Sequence, residues 1–413
     1  MKINIISQYY WPEDFAAGVY VKDLAIELIK KKHEVTVLTT FPNYPKGKIW
    51  DAYKGRFFMK EENEGVKIQR SFIFPTSREL PLFLRSFTHL SFSISVFFTY
   101  LFRRKNDITY VIFPILPLAI GTLIISKFKR IPIIYGVKDI SILGLINSGM
   151  IKNKLLIKLL ENLELTIYSK ADLIQVPSKM QYNYLIKNGI NPSKIVIIPD
   201  WANSENIIPK PRINEFSEKM KLNEKFVLIY SGNLGYSSDL FPILDSAKLL
   251  ESISDIHFLI IGDGPVKQKL ESHKQKLNLK NVEFLDFQPM SSFADVLSTS
   301  DISIITLSKK FTQVATQGKI YNIMSAARPI LAIMEKNAMS ADLIKEEKFG
   351  EVIDSEDIDK IVKFILKIYK NPNLGNEMGI NARYYLINNF SLPISVNHFE
   401  NAFLKVYKNY KIG

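Results

Sequence analysis

The sequence predicts an α/β protein made of two doubly wound parallel-sheet domains facing across a cleft. Three observations point there. Short apolar runs alternate with segments of helical period along most of the chain, the pattern of repeated βαβ units. The chain has 413 residues, too many for one ordinary core. Residues 203–212, NSENIIPKPR, lack periodicity, carry two prolines and read as a linker. The expected domains are 1–205 and 206–390, with a closing helix in 391–413 available to pack back on the first.

Residues 2–7 read as a strand, because INII is a near-continuous apolar run, as in a sheet covered on both faces. From Gly18 onward, Val21, Leu24, Ala25, Leu28 and Ile29 recur at helical spacing, and Lys30, Lys31 and Lys32 suit a helix carboxyl end. Residues 34–40 form the next strand and complete a βαβ unit. The first loop holds one glycine, Gly18, so it is not the G-x-G-x-x-G dinucleotide fingerprint. Gly18 serves either as a helix N-cap or as a point of ligand approach. The second loop, FPNYPKGK at 41–48, lies at the carboxyl edge, where ligands bind in such sheets. Asn43 and Tyr44 there are either contacts for an acceptor or parts of a plain turn.

Residues 80–102, LPLFLRSFTHLSFSISVFFTYLF, are aromatic and apolar but include Arg85, His89 and six Ser/Thr hydroxyls. A bilayer span takes about 20 apolar residues, so the segment is too short and too polar to cross. With Arg103, Arg104 and Lys105 behind it, it reads either as a membrane-surface helix or as a core helix. Charge favours the membrane. Residues 1–205 hold 28 Lys/Arg against 17 Asp/Glu, most of the net +13 of the chain. Further strands are expected at 108–113, 131–135, 171–177 and 195–199, with helices at 117–128 and 150–169. Strand 131–135 ends in Gly136-Val137-Lys138-Asp139. Asp139 is the candidate acid at that strand end; its plainer use is to cap the following helix.

The second half repeats the pattern, with strands at 226–230, 257–261, 282–285, 301–306, 330–333 and 351–354 and a last helix at 397–410. Glycine turns follow the first two strands: Ser231-Gly232-Asn233-Leu234-Gly235 and Gly262-Asp263-Gly264-Pro265. Such residues let a ligand approach the backbone closely. The stretch TQVATQGKIYNIMSAARPILAI at 312–333 is organised around Lys319. A turn, Thr316-Gln317-Gly318, feeds a short helix with Ile320, Ile323, Met324 and Ala327 on one face, and Pro329 stops it. A lysine in a first helical turn opposes the helix dipole unless an anion answers it. A diphosphate is the expected anion.

Several classes drop out. There is no cysteine, hence no disulfide, thiolate metal site or thiol nucleophile. The five histidines are scattered, and Asp357-Ile358-Asp359 falls where acids are ordinary, in a first helical turn, so no metal is expected. No P-loop, G-x-S-x-G elbow or nucleic-acid-binding motif occurs. The N-terminus runs into a strand and does not read as a signal peptide, consistent with a cytoplasmic protein.

The segments YYWPED (9–14), FPNYPKGKI (41–49), KDISILGLINSGMIKNK (138–154), IPDWAN (198–203), YSGNLG (230–235), IGDGP (261–265), FLDFQPM (284–290) and QGKIYNIMSAARP (317–329) follow in order. In these the chain resembles family 4 glycosyltransferases of the GT-B type, two Rossmann-like domains. It is most similar to the bacterial polysaccharide branch that includes L-fucosamine and colanic-acid transferases. The resemblance implies retaining sugar transfer without metal or cofactor, the donor bound in the second domain and the acceptor in the first. It implies that Gly232 and Asn233 lie near the diphosphate, with Gly235, Gly264, Thr316 and Gly318 in the same turns. Lys319 would neutralise the diphosphate, helped by Arg328. Gln288 would flank the base, Asn322 and its neighbour Tyr321 the ribose, Asp139 the donor sugar, and Gly18 the transferred group. Many family 4 enzymes carry two glutamates where this chain has Val314 and Asn322, and basic residues where it has Ser237, Ser238 and Asp239. The implied reaction moves a sugar such as N-acetyl-L-fucosamine from UDP to an undecaprenyl-diphosphate-linked saccharide, on the inner face of the membrane. A UDP-sugar 2-epimerase and a non-catalytic partner subunit are the alternatives.

Overall fold

The computed structural model describes residues 1–13, 16–44, 47–76, 82–147, 151–312 and 317–412. It divides into two compact units, Met1–Pro199 with Leu392–Gly413, and Asp200–Ser391. The chain changes unit at Pro199, ahead of the expected linker, because 203–212 is pinned to the second unit. Ile207 is buried and its carbonyl accepts from Ser325 Oγ, the Lys210 N–H donates to Ser298 Oγ at 3.0 Å, and Arg212 pairs with Asp301 at 2.9 Å.

The first unit runs β1 (Lys2–Ile6), α1 (Ala16–Lys30), β2 (Glu34–Thr40), β3 (Phe58–Asn63), β4 (Val66–Ser71), α2 (Leu82–Phe102), β5 (Ile108–Ile112), α3 (Leu116–Lys129), β6 (Ile133–Gly136), α4 (Ser141–Asn147), α5 (Lys154–Ser169), β7 (Leu173–Val176), α6 (Lys179–Lys187) and β8 (Ile195–Ile197). The sheet order is β3-β4-β2-β1-β5-β6-β7-β8, parallel except for β3. The β3–β4 hairpin was not expected: β3 is a polar edge strand, FMKEEN. Its signal is the two-residue turn Glu64-Gly65, whose φ values of +50° and +78° suit a tight hairpin.

Neighbouring residues on β5 show the two faces of the sheet. Val111 shares a core with Phe92, Val96 and Tyr100 of α2 and Leu118 of α3. Tyr110 turns the other way, toward Phe399 and Phe403 at 5.5 and 5.6 Å between ring centres. Those rings belong to the final helix of the chain, which also meets the α1–β2 turn through His33 and Lys31 against Glu400 at 2.8 and 2.9 Å.

The second unit runs α7 (Glu215–Lys219), β9 (Phe226–Ser231), α8 (Phe241–Leu249), β10 (Ile256–Ile261), α9 (Lys267–Leu277), β11 (Val282–Leu285), α10 (Phe293–Thr299), β12 (Ile302–Thr306), α11 (Lys319–Ser325), β13 (Ile330–Ile333), α12 (Ala341–Glu346), β14 (Gly350–Ile353), α13 (Ile358–Lys370) and α14 (Pro372–Asn389); α15 (Leu392–Ile412) then returns to the first unit. Its six strands are all parallel, in the order β11-β10-β9-β12-β13-β14. The order reverses between β9 and β12, as it does between β1 and β5 in the first sheet. Ligands of doubly wound sheets bind at the carboxyl ends of such switch points.

Helix α2 packs one side into the core and leaves an apolar stripe exposed on the other. Phe92, Val96 and Tyr100 are fully buried, whereas Phe87, Leu90, Ile94, Phe98 and Phe102 form a stripe exposed to solvent. Arg103 is turned inward, its Nε buried, while Arg104 and Lys105 are exposed. Among the described residues no helix is long and apolar enough to cross a membrane.

Candidate active site

The switch point of the second sheet is built from the ends of β9 and β12. Tyr230, next to last in β9, is fully buried. Its hydroxyl donates to the Asn233 carbonyl and meets Ser238 Oγ, both at 2.9 Å, which braces the turn that follows. Lys319 opens α11 in the connection after β12. Its ammonium lies 3.9 Å from the centre of the Tyr230 ring. A Cβ on Gly232 would come within 2.6 Å of that ammonium, so a side chain there would have to displace it from this position. Among the described residues no carboxylate pairs with Lys319. A ring–ammonium contact contributes about 0.5–1 kcal/mol at a partly exposed site, enough to aim the charge but not to neutralise it. The helix behind it is short, seven residues, so the lysine rather than the helix dipole carries the positive potential.

The glycine turns after β9 and β10 pack backbone on backbone. Gly232 N–H donates to the Ile261 carbonyl and Leu234 N–H to Asp263, both at 2.9 Å. A Cβ on Gly262 would lie 1.9 Å from the Gly232 carbonyl, and one on Gly264 2.5 Å from that of Leu234. The Asn233 amide sits over Gly235 and Gly264, where a Cβ would meet it at 2.6 and 3.0 Å. Gln288 follows β11, two strands from β9 on the same edge, about 10 Å away at ordinary strand spacing. Its amide nitrogen donates to the Asp286 carbonyl at 2.9 Å. Asn322, partly exposed, stands one helical turn from Lys319. Gly232, Asn233, Gly235, Gly264, Gly318, Lys319, Asn322 and Gln288 are thus gathered along one edge of the sheet.

Two expected members are placed elsewhere. Arg328 precedes the amino end of β13, on the opposite edge of the parallel sheet, where it donates to the Lys210 carbonyl at 3.1 Å near Asp301. It does not join Lys319. Tyr321 faces the core: it is buried, packs edge-on against Phe390 at 5.2 Å, and burial raises its pKa. Its place in α11 alternates with that of Lys319 and Asn322, so one face of this short helix is core and the other edge-facing. Thr316 and Val314 lie outside the described residues. Among the described residues no cluster of three or more His, Asp or Glu side chains could hold a metal ion.

The first unit presents a different construction at its own carboxyl edge. Glu13 is buried, and its Oε1 accepts from the backbone N–H groups of Asn43 and Tyr44, both at 2.7 Å. Burial raises its pKa, opposed by these bonds and by the Arg70 charge. Arg70, fully buried on β4, donates to the carbonyls of Trp11 and Thr40 and pairs with Glu61. These two charges tie the β1–α1 loop to the β2 loop. Gly18 is the third residue of α1, not its cap, and a Cβ there would lie 2.5 Å from the Glu13 carbonyl. It lets the helix start close to the loop. Asn43 is buried and its amide donates to the Phe41 carbonyl at 2.9 Å, so it shapes the loop. Tyr44 is partly exposed, edge-on to Tyr9 at 6.0 Å. Asp139 is exposed just past β6. The buried member of that pair is Lys138, whose ammonium lies 5.4 Å from the ring of Tyr20 on α1.

Glu13, Arg70, Lys138 and Tyr230 were not among the expected site residues. Arg70 had a signal: it shares strand parity with Val66 and Ile68, which are buried. Glu13 acts through the backbone of a distant loop, which no local pattern announces, whereas Tyr230 braces the turn after its own strand.

Two doubly wound sheets with ligand-type edges define a GT-B glycosyltransferase fold. The structure of HepE from Anabaena, in complex with UDP and glucose, matches with a TM-score of 0.72 at 13% identity, over 98% of this chain and 100% of that one. The model for Glycosyltransferase Family 4 matches residues 17–205, and that for Glycosyl transferases group 1 matches 212–385. The chain belongs to glycosyltransferase family 4 and is related to bacterial polysaccharide-biosynthesis transferases. A protein named as colanic acid biosynthesis glycosyl transferase WcaI, from Escherichia coli, is 24% identical over 334 residues, 79% of this chain and 81% of the relative. One named as glycosyltransferase WbjE, from Pseudomonas aeruginosa, is 26% identical over 344 residues, 80% and 83% of the two chains.

Proposed function

We propose that the protein transfers a sugar, N-acetyl-L-fucosamine or a related deoxyhexosamine, from UDP to an undecaprenyl-diphosphate-linked saccharide in capsule or O-antigen biosynthesis. It works on the inner face of the cell membrane, with retention of configuration and without a metal. The observation that carries this reading is the Lys319 ammonium, aimed by the Tyr230 ring and given room by Gly232. A cation preorganised beside open backbone stabilises a departing diphosphate without reorganisation during the reaction. Asn322 supplies an amide for ribose, and Gln288, about 10 Å along the edge, is at a suitable reach for the base. UDP is supported by the HepE complex, and the polysaccharide product by the name of WcaI. The sugar and retention come from the family resemblance. The acceptor side rests on the first unit: Tyr44 and Tyr9 offer aromatic faces to a saccharide, and exposed Asp139 is the candidate acid beside the donor sugar.

Titration calorimetry with UDP tests the reading. Lys319→Ala should weaken UDP by about 1.5–3 kcal/mol, the range for a hydrogen bond to a charged group, or about 10- to 150-fold in Kd. Unchanged affinity would remove the anchor. Transfer from UDP-N-acetyl-L-fucosamine to lipid-diphosphate-linked saccharides tests the chemistry. UDP binding with no transfer to any of them would favour a non-catalytic partner subunit.

A further inference from the structure

The first sheet has its own switch point, between β1 and β5, where the strand order reverses. Its carboxyl edge is therefore a second place where a ligand is expected. The register of these two strands runs from Ile3 against Ile108 to Ile6 against Val111. Continued two residues past the last pair, it sets Gln8 opposite Phe113, one strand spacing or about 5 Å away. Phe113 stands there in an unusual backbone, with a left-handed φ of +51°. The other described non-glycine residues with such a φ lie in turns behind helices or, for Glu64, in the β3–β4 hairpin, and none of them is aromatic. A bulky residue with a positive φ is a true outlier, and such strain gathers where a site requires it. Here it presents the ring: Phe113 is 38% exposed, while Ile112 and Pro114 on either side are buried. Backbone bonds hold the pose, from the Phe113 N–H to the Gly136 carbonyl at 3.0 Å and from the Ile115 N–H to the Phe113 carbonyl at 2.8 Å.

Gln8 is held as firmly. Its carbonyl accepts from Thr39 Oγ1 at 3.2 Å and from Thr40 Oγ1 at 2.9 Å. Its side-chain Oε1 lies 2.8 Å from Nδ1 of His89 on α2. An amide oxygen only accepts, so Nδ1 carries the proton of this bond. With the oxygen engaged, the amide nitrogen is left over. It is buried and has no hydrogen-bond partner among the described residues. Buried polar groups are normally paired, so a donor left open at a strand end of the ligand-binding edge points to a ligand.

An aromatic face beside a fixed amide donor suits a sugar ring. The C–H groups on one face of a pyranose are slightly positive and meet the negative π face of the aromatic ring. A hydroxyl oxygen of the same sugar takes the amide N–H. We propose that Gln8 and Phe113 form the subsite for the terminal sugar of the acceptor, and that His89 is the positioning residue that holds the Gln8 amide for it. The proposal rests on the transferase reading and deepens it: the acceptor is recognised by its sugar, so a lipid phosphate without one is a poor acceptor.

Steady-state transfer from UDP-N-acetyl-L-fucosamine to lipid-diphosphate-linked saccharides tests it, with donor and acceptor varied separately and UDP calorimetry and Tm read in parallel. Gln8→Leu should raise the acceptor KM about tenfold, the loss of one hydrogen bond. Phe113→Gly should raise it by about as much, yet leave Tm unchanged or higher, because glycine relaxes the left-handed backbone. Phe113→Tyr keeps the ring and should keep the KM. His89→Leu frees the Gln8 amide and should raise the acceptor KM severalfold; His89→Asn restores an N–H donor and should bring it back. Donor KM and UDP Kd should stay at wild type throughout. A wild-type acceptor KM in both Gln8→Leu and Phe113→Gly would overturn the subsite, and so would a rise in donor KM in its place. Equal losses in His89→Leu and His89→Asn would overturn the positioning role. Undecaprenyl phosphate serving as well as the saccharide-bearing lipids would overturn recognition by the sugar. A wild type that binds UDP but transfers to no acceptor would sink the transferase reading itself, and the subsite with it, before any variant is compared.

Discussion

At the scale of single residues, the two edges use charge in opposite ways. Lys319 keeps its charge open, so its surroundings must be judged by what they leave free. Gly232→Ala would drive a methyl into the space of the ammonium, at a backbone φ of +154° that disfavours side chains. The far end of a lysine moves easily, so folding should change little. UDP affinity should fall about tenfold, or about 1.4 kcal/mol; an unchanged Kd by calorimetry would mean that the lysine is not aimed by this contact. Glu13 is satisfied instead. Glu13→Ala would orphan the buried N–H of Asn43, at about 1–3 kcal/mol, and the part-buried one of Tyr44, whereas Glu13→Gln keeps an accepting oxygen. Its carboxyl pKa is raised above the ordinary value of 4.5 in the folded protein. In the window from 4.5 up to that raised value, the native state binds more protons than the unfolded chain, so Glu13 makes stability fall as pH rises. Urea denaturation from pH 4 to 7 should show the wild type losing stability relative to Glu13→Gln across that window and running parallel above it. A gap that widens with falling pH would reverse the assignment.

Among elements, α2 shows most plainly what a sequence can and cannot say. Its composition allowed a core helix or a membrane-surface helix; the structure buries one side in the core and leaves an apolar stripe exposed on the other. Helical period alone puts Phe92, Val96 and Tyr100 together, and Phe87, Leu90, Ile94 and Phe98 on the reverse. Which stripe is buried depends on strands far away in sequence. The test is a pair of substitutions. Phe92→Ala should cost about 3–5 kcal/mol, as for a ring removed from a packed core, while Phe98→Ala should stay within about 0.5 kcal/mol. Comparable costs by chemical denaturation would contradict the two-sided helix. The buried parallel strands were legible for a simple reason: a run such as ILAI is apolar on both faces, and INII is broken only by Asn4. The β3–β4 hairpin was not, since FMKEEN at a sheet edge looks like loop. The site was legible where glycine marks a close approach, at Gly232 and Gly264. It was not legible where a position is set by which edge of the sheet a residue occupies. Arg328 is only nine residues from Lys319, yet α11 intervenes and carries it to the far edge. Tyr321 is two residues away and points to the core.

For the molecule as a whole, the two sheets divide the work. The second unit holds the open cation, the paired glycine turns and the reversal of strand order between β9 and β12. The first holds the buried Glu13 and Arg70 ties and the exposed apolar stripe of α2. A nucleotide that engages only the folded second unit stabilises it by RT ln(1 + [L]/Kd), about 2.7 kcal/mol at a hundredfold excess over Kd. For a unit of this size, about 2–4 °C per kcal/mol translates this into a rise of roughly 5–10 °C in its melting transition. Thermal shift with UDP, GDP and ADP therefore reads the site without any knowledge of acceptor or sugar. UDP should give the full rise and the purine diphosphates less, if Gln288 and the β11 end select the base. Lys319→Ala should remove most of the UDP effect while leaving the unliganded Tm in place, because no described residue depends on that ammonium for a salt bridge. Equal shifts with all three nucleotides would locate the recognition in the diphosphate alone and remove Gln288 from the site. No shift with any of them would mean that the cation at the switch point answers some other anion, and the UDP-sugar reading would fall with it.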